Sequence, residues 1–452
     1  MSLRPTVDFL LYDWLNAPSL SERARFADHS RETFDAVLDS CERIAREKYA
    51  PFNRLVDTQE PHFDGEKVHL PQATHDAHHA YVNSGMLAAN QDYEIGGMQL
   101  PFTVSSAANA TLAMASVGIG SHLLTVGNAG LLMKHGSDKQ KQVFAHQLYK
   151  GLWAGTMCLS EPQAGSSLSD IQTKAIPDGD DFAFDPLGPR YRLKGNKMWI
   201  SSGDHELTQN IVHLVLAKVP GPDGKLIAGT RGISLFIVPK HIVGPDGSLT
   251  GQRNDVALAG LNHKLGWRGT TNTLLNFGEG RYPVASDNNS ASEGAIGYLV
   301  GNLHQGLMCM FHMMNEARIA VGSAAAMLGL AGYYASLDYA KNRPQGRSLG
   351  AGGKDPSSPQ IAIIEHADVK RMLLAQKSYC EGAFALEIYC AKLVDEQHTN
   401  DSSELQNKSR LLLEILTPIA KSWPSEWCLE ANSLAIQIHG GYGYTRDFPV
   451  EQ

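Results

Sequence analysis

The feature that most limits what this chain can fold into is a change of texture along it, from helix-like to β-like and back. Residues 20–150 are helix-like: between Ser21 and Tyr49, charged residues surround Phe26, Phe34, Val37, Leu38 and Ile44 at spacings near 3.6 residues. Thr103 to Leu124 is rich in Ala, Leu and Ser and reads as a buried helix, and Ser137 is placed to cap another. From about residue 151, Gly, Pro, Asp and Thr separate short β-rich runs, with Asn210–Ala217 and Gly232–Val238 the best strands. Turns fall at Pro220–Gly224 and Pro245–Gly247. After about residue 290 the chain returns to helix, over Leu307–Ala335, Ile361–Leu393 and Ser403–His439, with a Gly- and Pro-rich loop from Asn342 to Pro359. This order implies an α+β protein: an N-terminal helical domain (1–150), a middle antiparallel β-domain (151–290) and a C-terminal helical domain (291–452).

Composition excludes some function classes. A length of 452 residues supports more than one packed layer or domain. A formal charge of −8 argues against nonspecific nucleic-acid binding, which needs a basic face. The first twenty residues lack a continuous apolar run because Asp8 and Asp13 interrupt it, so no signal peptide is expected. No stretch reads as the roughly 20 apolar residues of a membrane span. Cys41, Cys158, Cys309, Cys380, Cys390 and Cys428 contain no CxxC pair and suit neither zinc nor a short disulfide, so reduced thiols in a cytoplasm are expected and no metal site.

Chemistry concentrates in Met157–Ser169 (MCLSEPQAGSSLS) and Lys197–Gly203 (KMWISSG). A Gly-Ser-Ser turn lets backbone N–H groups approach an anion. An indole flanks a ring system, and hydroxyls reach heteroatoms at its edge. The combination suits a planar, phosphate-bearing cofactor. Together the segments resemble the flavin-binding signature of the acyl-CoA dehydrogenase family. Further segments are similar to that family's in the same order: Gly306–Gly329 with Arg318, Tyr339–Arg347 (YAKNRPQGR), and Gln437–Tyr444 (QIHGGYGY). The family's larger bacterial branch is resembled through Leu274–Gly278 and Ala295–Gly301 as well.

The resemblance implies FAD as cofactor, an acyl-CoA thioester as substrate, and an electron-transfer flavoprotein as electron acceptor. An oxidase passing electrons to oxygen and a non-enzymatic flavin-binding relative are the alternatives. By the resemblance, Met157, Leu159 and Ser160 line the flavin ring. Gly165 and Ser166 stand where cofactor and acyl-CoA meet. Trp199 flanks the ring, with Ile200 beside it and Ser201 offering a hydroxyl to N5. Arg343 and Gln345 reach the FAD diphosphate of a neighbouring subunit, and Gln437, Gly440 and Gly441 cover the adenosine end, which implies a homodimer or homotetramer. Arg318 matches an Arg near the CoA nucleotide, with Asn315 three residues before it. Read singly, these residues have plainer roles: Ser160 a turn cap, Trp199 a core residue, Gly440–Gly441 a helix end. The small-residue face Ala317, Gly322, Ala325 and Gly329 suits close helix approach, either between copies or within one.

The chain departs from the family pattern in places. Asn315 replaces the usual acid, Ala367 a frequent Gln, and Pro344 and Gly346 alter the Arg343 segment. The usual catalytic Glu, in an [IY]-[YH]-E-G-T segment, is expected about a dozen residues past the Pro449-Val450-Glu451 stretch, so a C-terminally shortened form is expected and no base is named. Some relatives carry the base immediately before the Arg318 position, which here is Ala317. Glu316 is turned about 100° from it on a helix, and a surface or salt-bridged role is expected for it. Glu161 is expected to be structural.

Overall fold

The computed structural model describes residues 2–119, 122–285, 291–350 and 353–452. Its long helices are α1 (Arg31–Ile44), α2 (Phe102–Ala115), α3 (Leu123–His135), α4 (Gly306–Asn342), α5 (Ala367–Thr399) and α6 (Ser403–His439). Its main sheet is built from β1 (Trp153–Cys158), β2 (Lys174–Pro177), β3 (Arg190–Ser201), β4 (Asn210–Lys218), β5 (Ile233–Pro239), β6 (Val256–Leu261), β7 (Asn272–Phe277) and β8 (Ala295–Val300). The helix–β–helix order read from the sequence is the order found.

Two details of the helices differ from expectation or refine it. The helix expected over Thr103–Leu124 is two helices, because Ser116 leaves α2 in extended backbone. Ser137 caps as expected, its hydroxyl accepting from the Gln140 N–H at 3.2 Å while the Gln140 amide oxygen accepts from the Ser137 N–H at 3.1 Å.

The sheet runs β6-β7-β3-β8-β5-β4-β1, with β2 pairing β3 and β4. It is antiparallel except where β1 runs parallel to β4, Trp153 opposite Asn210, and where β2 meets β4 at Lys174–Lys218. The parallel pair corrects the expectation of a purely antiparallel domain; the crossover between its strands carries the turn-rich segment after Met157. β8 lies past residue 290, inside the sheet between β3 and β5. Strand β4 is buried along its whole length because both sheet faces are covered. Val212, Leu214 and Leu216 join a core with Leu131 and Leu132 of α3, while Val215 and Ala217 join the opposite core with Phe236, Leu275 and Phe277. Asn128 of α3 sits above Gly155 and donates to the carbonyls of Thr156 (2.9 Å) and Val212 (3.1 Å), tying helix to sheet.

Contact density divides the chain differently from chain order. One compact unit comprises Leu55–Met98 and Gly118–Ala317 and holds the sheet; the other comprises Met1–Arg54, Gln99–Val117 and Arg318–Gln452 and is helical. In the helical unit Asp395 of α5 caps α2, accepting from the N–H groups of Phe102 and Thr103 at 2.8 Å and from the Thr103 hydroxyl at 2.6 Å. The small-residue face of α4 is used inside this unit. Cβ atoms at Gly322 and Gly329 would lie 2.1 Å from the Ala420 carbonyl and 2.5 Å from the Cys380 sulfur. By length and composition α4 is long and apolar enough to cross a membrane, contrary to expectation, and 56% of that window is buried inside the protein, as in a core helix. All six cysteines are free and buried.

Candidate functional site

The two motifs singled out from the sequence meet in the sheet unit. Met157 lies near the end of β1, Leu159 and Ser160 follow it, and Lys197–Ser201 form the end of β3. The Met198 N–H donates to the Ser160 carbonyl at 3.0 Å. The Lys197 ammonium, 0% exposed, donates to the Leu159 carbonyl and to Glu161 Oε1, both at 3.0 Å. Glu161 also accepts from the Gln172 N–H (2.7 Å), the Thr173 N–H (3.0 Å) and hydroxyl (2.5 Å), and the Gln163 amide (2.8 Å). Burial opposes its ionisation, but Lys197 and these donors outweigh burial and hold the carboxyl below its ordinary range. The structural role expected of Glu161 is what the structure gives it.

A β-bulge presents the indole. The β3–β7 register slips between Thr273, opposite Ile200, and Leu275, opposite Lys197. Met198 and Trp199 therefore face one residue, and Trp199 takes a left-handed backbone at φ 66° that a side chain rarely adopts. Its ring is 59% exposed, which removes the core role it has when read alone. Ser201 is half-buried beside it, and the Ile200 side chain is buried in the sheet core. Met157, Leu159 and Ser160 are half-buried, and Gly165, Ser166 and Ser167 are exposed. An exposed indole, neighbouring hydroxyls and an open Ser-rich turn are a donor set that fits a planar, phosphate-bearing group.

A second cluster lies in the helical unit. Arg343 sits over the Tyr442 ring at 5.7 Å, and the Gln345 carbonyl accepts from His366 Nε2 at 2.7 Å. Gly440 ends α6 at φ 61°, its N–H on the Gln437 carbonyl, with Gln437, Gly440 and Gly441 exposed. Reading single residues missed two partners here: His439 stacks on Tyr339 at 4.4 Å, and Phe448 packs edge-on to both.

Asn315 and Arg318 are half-buried on α4. Between them Glu316 corrects the surface or salt-bridged role expected for it. It is half-buried, has no ion-pair partner among the described residues, and burial pushes its carboxyl up to about 7. Its charged form acts on Tyr149, whose hydroxyl is buried without a partner among the described residues and is itself pushed up, chiefly by burial.

Known proteins resemble the chain over nearly its whole length. Residues 31–151 match the acyl-CoA dehydrogenase N-terminal domain, and residues 354–452 match the acyl-CoA dehydrogenase C-terminal domain. The chain is 34% identical over 438 residues to the 3-methylmercaptopropionyl-CoA dehydrogenase of Ruegeria pomeroyi, covering 96% of this chain and 68% of that protein. It is 32% identical over 451 residues to a butyryl-CoA dehydrogenase of Syntrophomonas wolfei, covering 98% and 69%. In fold it is similar to an acyl-CoA dehydrogenase from Bacillus anthracis solved with FAD, at a TM-score of 0.70 and 19% identity, over 96% of this chain and 65% of that one.

Proposed function

The chain belongs to the acyl-CoA dehydrogenase family of oxidoreductases, and we propose that it binds FAD and desaturates an acyl-CoA thioester at Cα–Cβ, passing electrons to an electron-transfer flavoprotein. The observation that carries this reading is the joining of Met157–Ser160 to Trp199–Ser201 through Lys197 and Glu161. FAD, when bound, supplies the hydride acceptor for Cβ. The chain's own residues hold and orient. Trp199 covers a ring face, the Ser160 and Ser201 hydroxyls donate at the ring edge, and Gly165–Ser166 give backbone and hydroxyl donors to the ligand's anionic part. Arg318 supplies a cation for the CoA nucleotide. No residue is assigned as the base that takes the Cα proton.

In this reading Arg343, Gln345, Gln437, Gly440 and Gly441 serve the cofactor of a second copy, so the working form is a homodimer or larger, in a cytoplasm that keeps the six cysteines reduced. The test is anaerobic addition of acyl-CoA esters, short, long, branched and sulfur-containing, to the FAD-loaded protein. Bleaching or displacement of the oxidised flavin band by at least one ester is expected; a band that none of them alters contradicts the reading. Comparing turnover with oxygen and with an artificial acceptor separates dehydrogenase from oxidase.

A further inference from the structure

The sheet unit buries three lysines, and they are not equally neutralised. Lys197 is paired with Glu161 at 3.0 Å, and Lys240, 5% exposed, with Asp204 at 2.7 Å. Lys218, 3% exposed at the end of β4, donates to the Ser169 carbonyl at 2.6 Å and has no carboxylate within ion-pair distance among the described residues. A buried ammonium satisfied only by a carbonyl keeps most of its desolvation penalty. The carbonyl it holds belongs to the turn that exposes Gly165, Ser166 and Ser167, and the Lys218 N–H holds the Thr173 carbonyl beyond that turn at 2.9 Å. One positive charge therefore lies under a turn that exposes the Gly165 and Ser166 backbone and the Ser166 hydroxyl, while the Ser167 hydroxyl donates to Asp170 at 2.9 Å.

We propose that Lys218 is the electrostatic floor of an anion subsite on the Gly165–Ser169 turn, and that a bound phosphate ester supplies its missing counter-charge. The inference rests on the proposed function and deepens it: the ligand's phosphate chemistry is shared by the FAD diphosphate and by CoA, and Lys218 is a positioning residue that acts through the turn rather than by touching the ligand. It follows that apoprotein and loaded protein respond to Lys218 with opposite signs. Without ligand the charge is a burden; with ligand it is a holding force.

The test measures FAD, riboflavin and CoA binding, and the apoprotein melting temperature, for wild type, Lys218→Met and Lys218→Arg. Lys218→Met is expected to leave the apo melting temperature unchanged or higher and to weaken FAD or CoA at least tenfold. Riboflavin, which has no phosphate, is expected to change less than twofold, and Lys218→Arg to keep wild-type affinity. Selective loss of FAD assigns the subsite to the flavin diphosphate; selective loss of CoA assigns it to the substrate. Equal affinity of wild type and Lys218→Met for both phosphate ligands overturns the inference. So does a fall in apo melting temperature with parallel loss of riboflavin, which marks Lys218 as a strut. Wild-type protein that binds no flavin at all overturns the proposed function instead.

Discussion

Glu161 and Glu387 are both carboxyls buried in the protein, one in each compact unit, and they are handled in opposite ways. Glu161 is met by Lys197 and a ring of donors and is held ionised. Glu387 of α5 is 1% exposed and neither of its oxygens has a hydrogen-bond partner among the described residues; the space facing it is kept by Gly322 of α4. Burial, with a smaller effect from Cys428, pushes the Glu387 carboxyl up to about 9, so it is neutral in the fold at pH 7. The first carboxyl organises a loop that presents ligand-binding groups. The second is a polar group carried inside a helix bundle at a cost. Of these two buried carboxyls, only the one whose partners also order exposed residues belongs to the candidate site.

The largest expected loss is at Lys197. Lys197→Met strands the Glu161 carboxylate and is expected to cost about 3–5 kcal/mol, read by chemical denaturation at pH 7. The double variant Glu161→Gln with Lys197→Met is expected to regain much of that, because replacing both members of a buried pair is often near neutral. A single variant as stable as wild type would remove the contrast between the two regions.

Glu387 is expected to behave with the opposite sign. Its folded pKa, about 9, lies above its unfolded value, so unfolding releases a proton and stability falls as pH rises between the two. Glu387→Met is therefore expected to stabilise the protein by about 4–5 kcal/mol at pH 8, roughly 1.4 kcal/mol for each pH unit above the ordinary carboxyl value, and to change little near pH 4, where the carboxyl is mostly protonated in both states. Denaturation curves at the two pH values check this; equal shifts at both would show a packing effect rather than a titration. A smaller loss, about 1–3 kcal/mol, is expected for Asp395→Ala, which leaves the first N–H groups of α2 without acceptors.

The smallest effect sharpens the comparison at the motif itself. Ser202 holds a left-handed backbone at φ 54°. Ser202→Gly is expected to stabilise by about 1 kcal/mol or less, since glycine takes that conformation without a steric cost. A destabilised variant would show that the Ser202 side chain contributes more than the strain costs.

How much of this was legible in the sequence follows the range of the forces. Period-3.6 and period-2 patterns gave the helices and strands because burial is decided residue by residue along an element. The cofactor motifs were legible because their turn chemistry is local, and the capping box at Ser137 for the same reason. Partners far apart in the chain were not. Nothing near Lys218 announces that it lies under Ser169, 49 positions away, and nothing near Gly322 announces that it faces Glu387. The parallel pairing of β1 with β4 and the bulge that turns Trp199 outward are likewise products of strand register, which the strand sequences alone do not fix. Glu316 is a further case: its half-buried setting depends on what packs against α4, not on its own neighbours in the chain.

The central claim is that the Met157–Ser160 and Trp199–Ser201 segments form one flavin site. Equilibrium titration of the purified protein with FAD, followed by visible absorbance, tests it most directly, alongside Trp199→Ala combined with Ser166→Ala. The account predicts a yellow protein holding one FAD per chain and a sharp fall in flavin content for the double variant with its fold intact by circular dichroism. A folded wild-type protein that takes up no FAD, or a double variant that binds it as tightly as wild type, would contradict it.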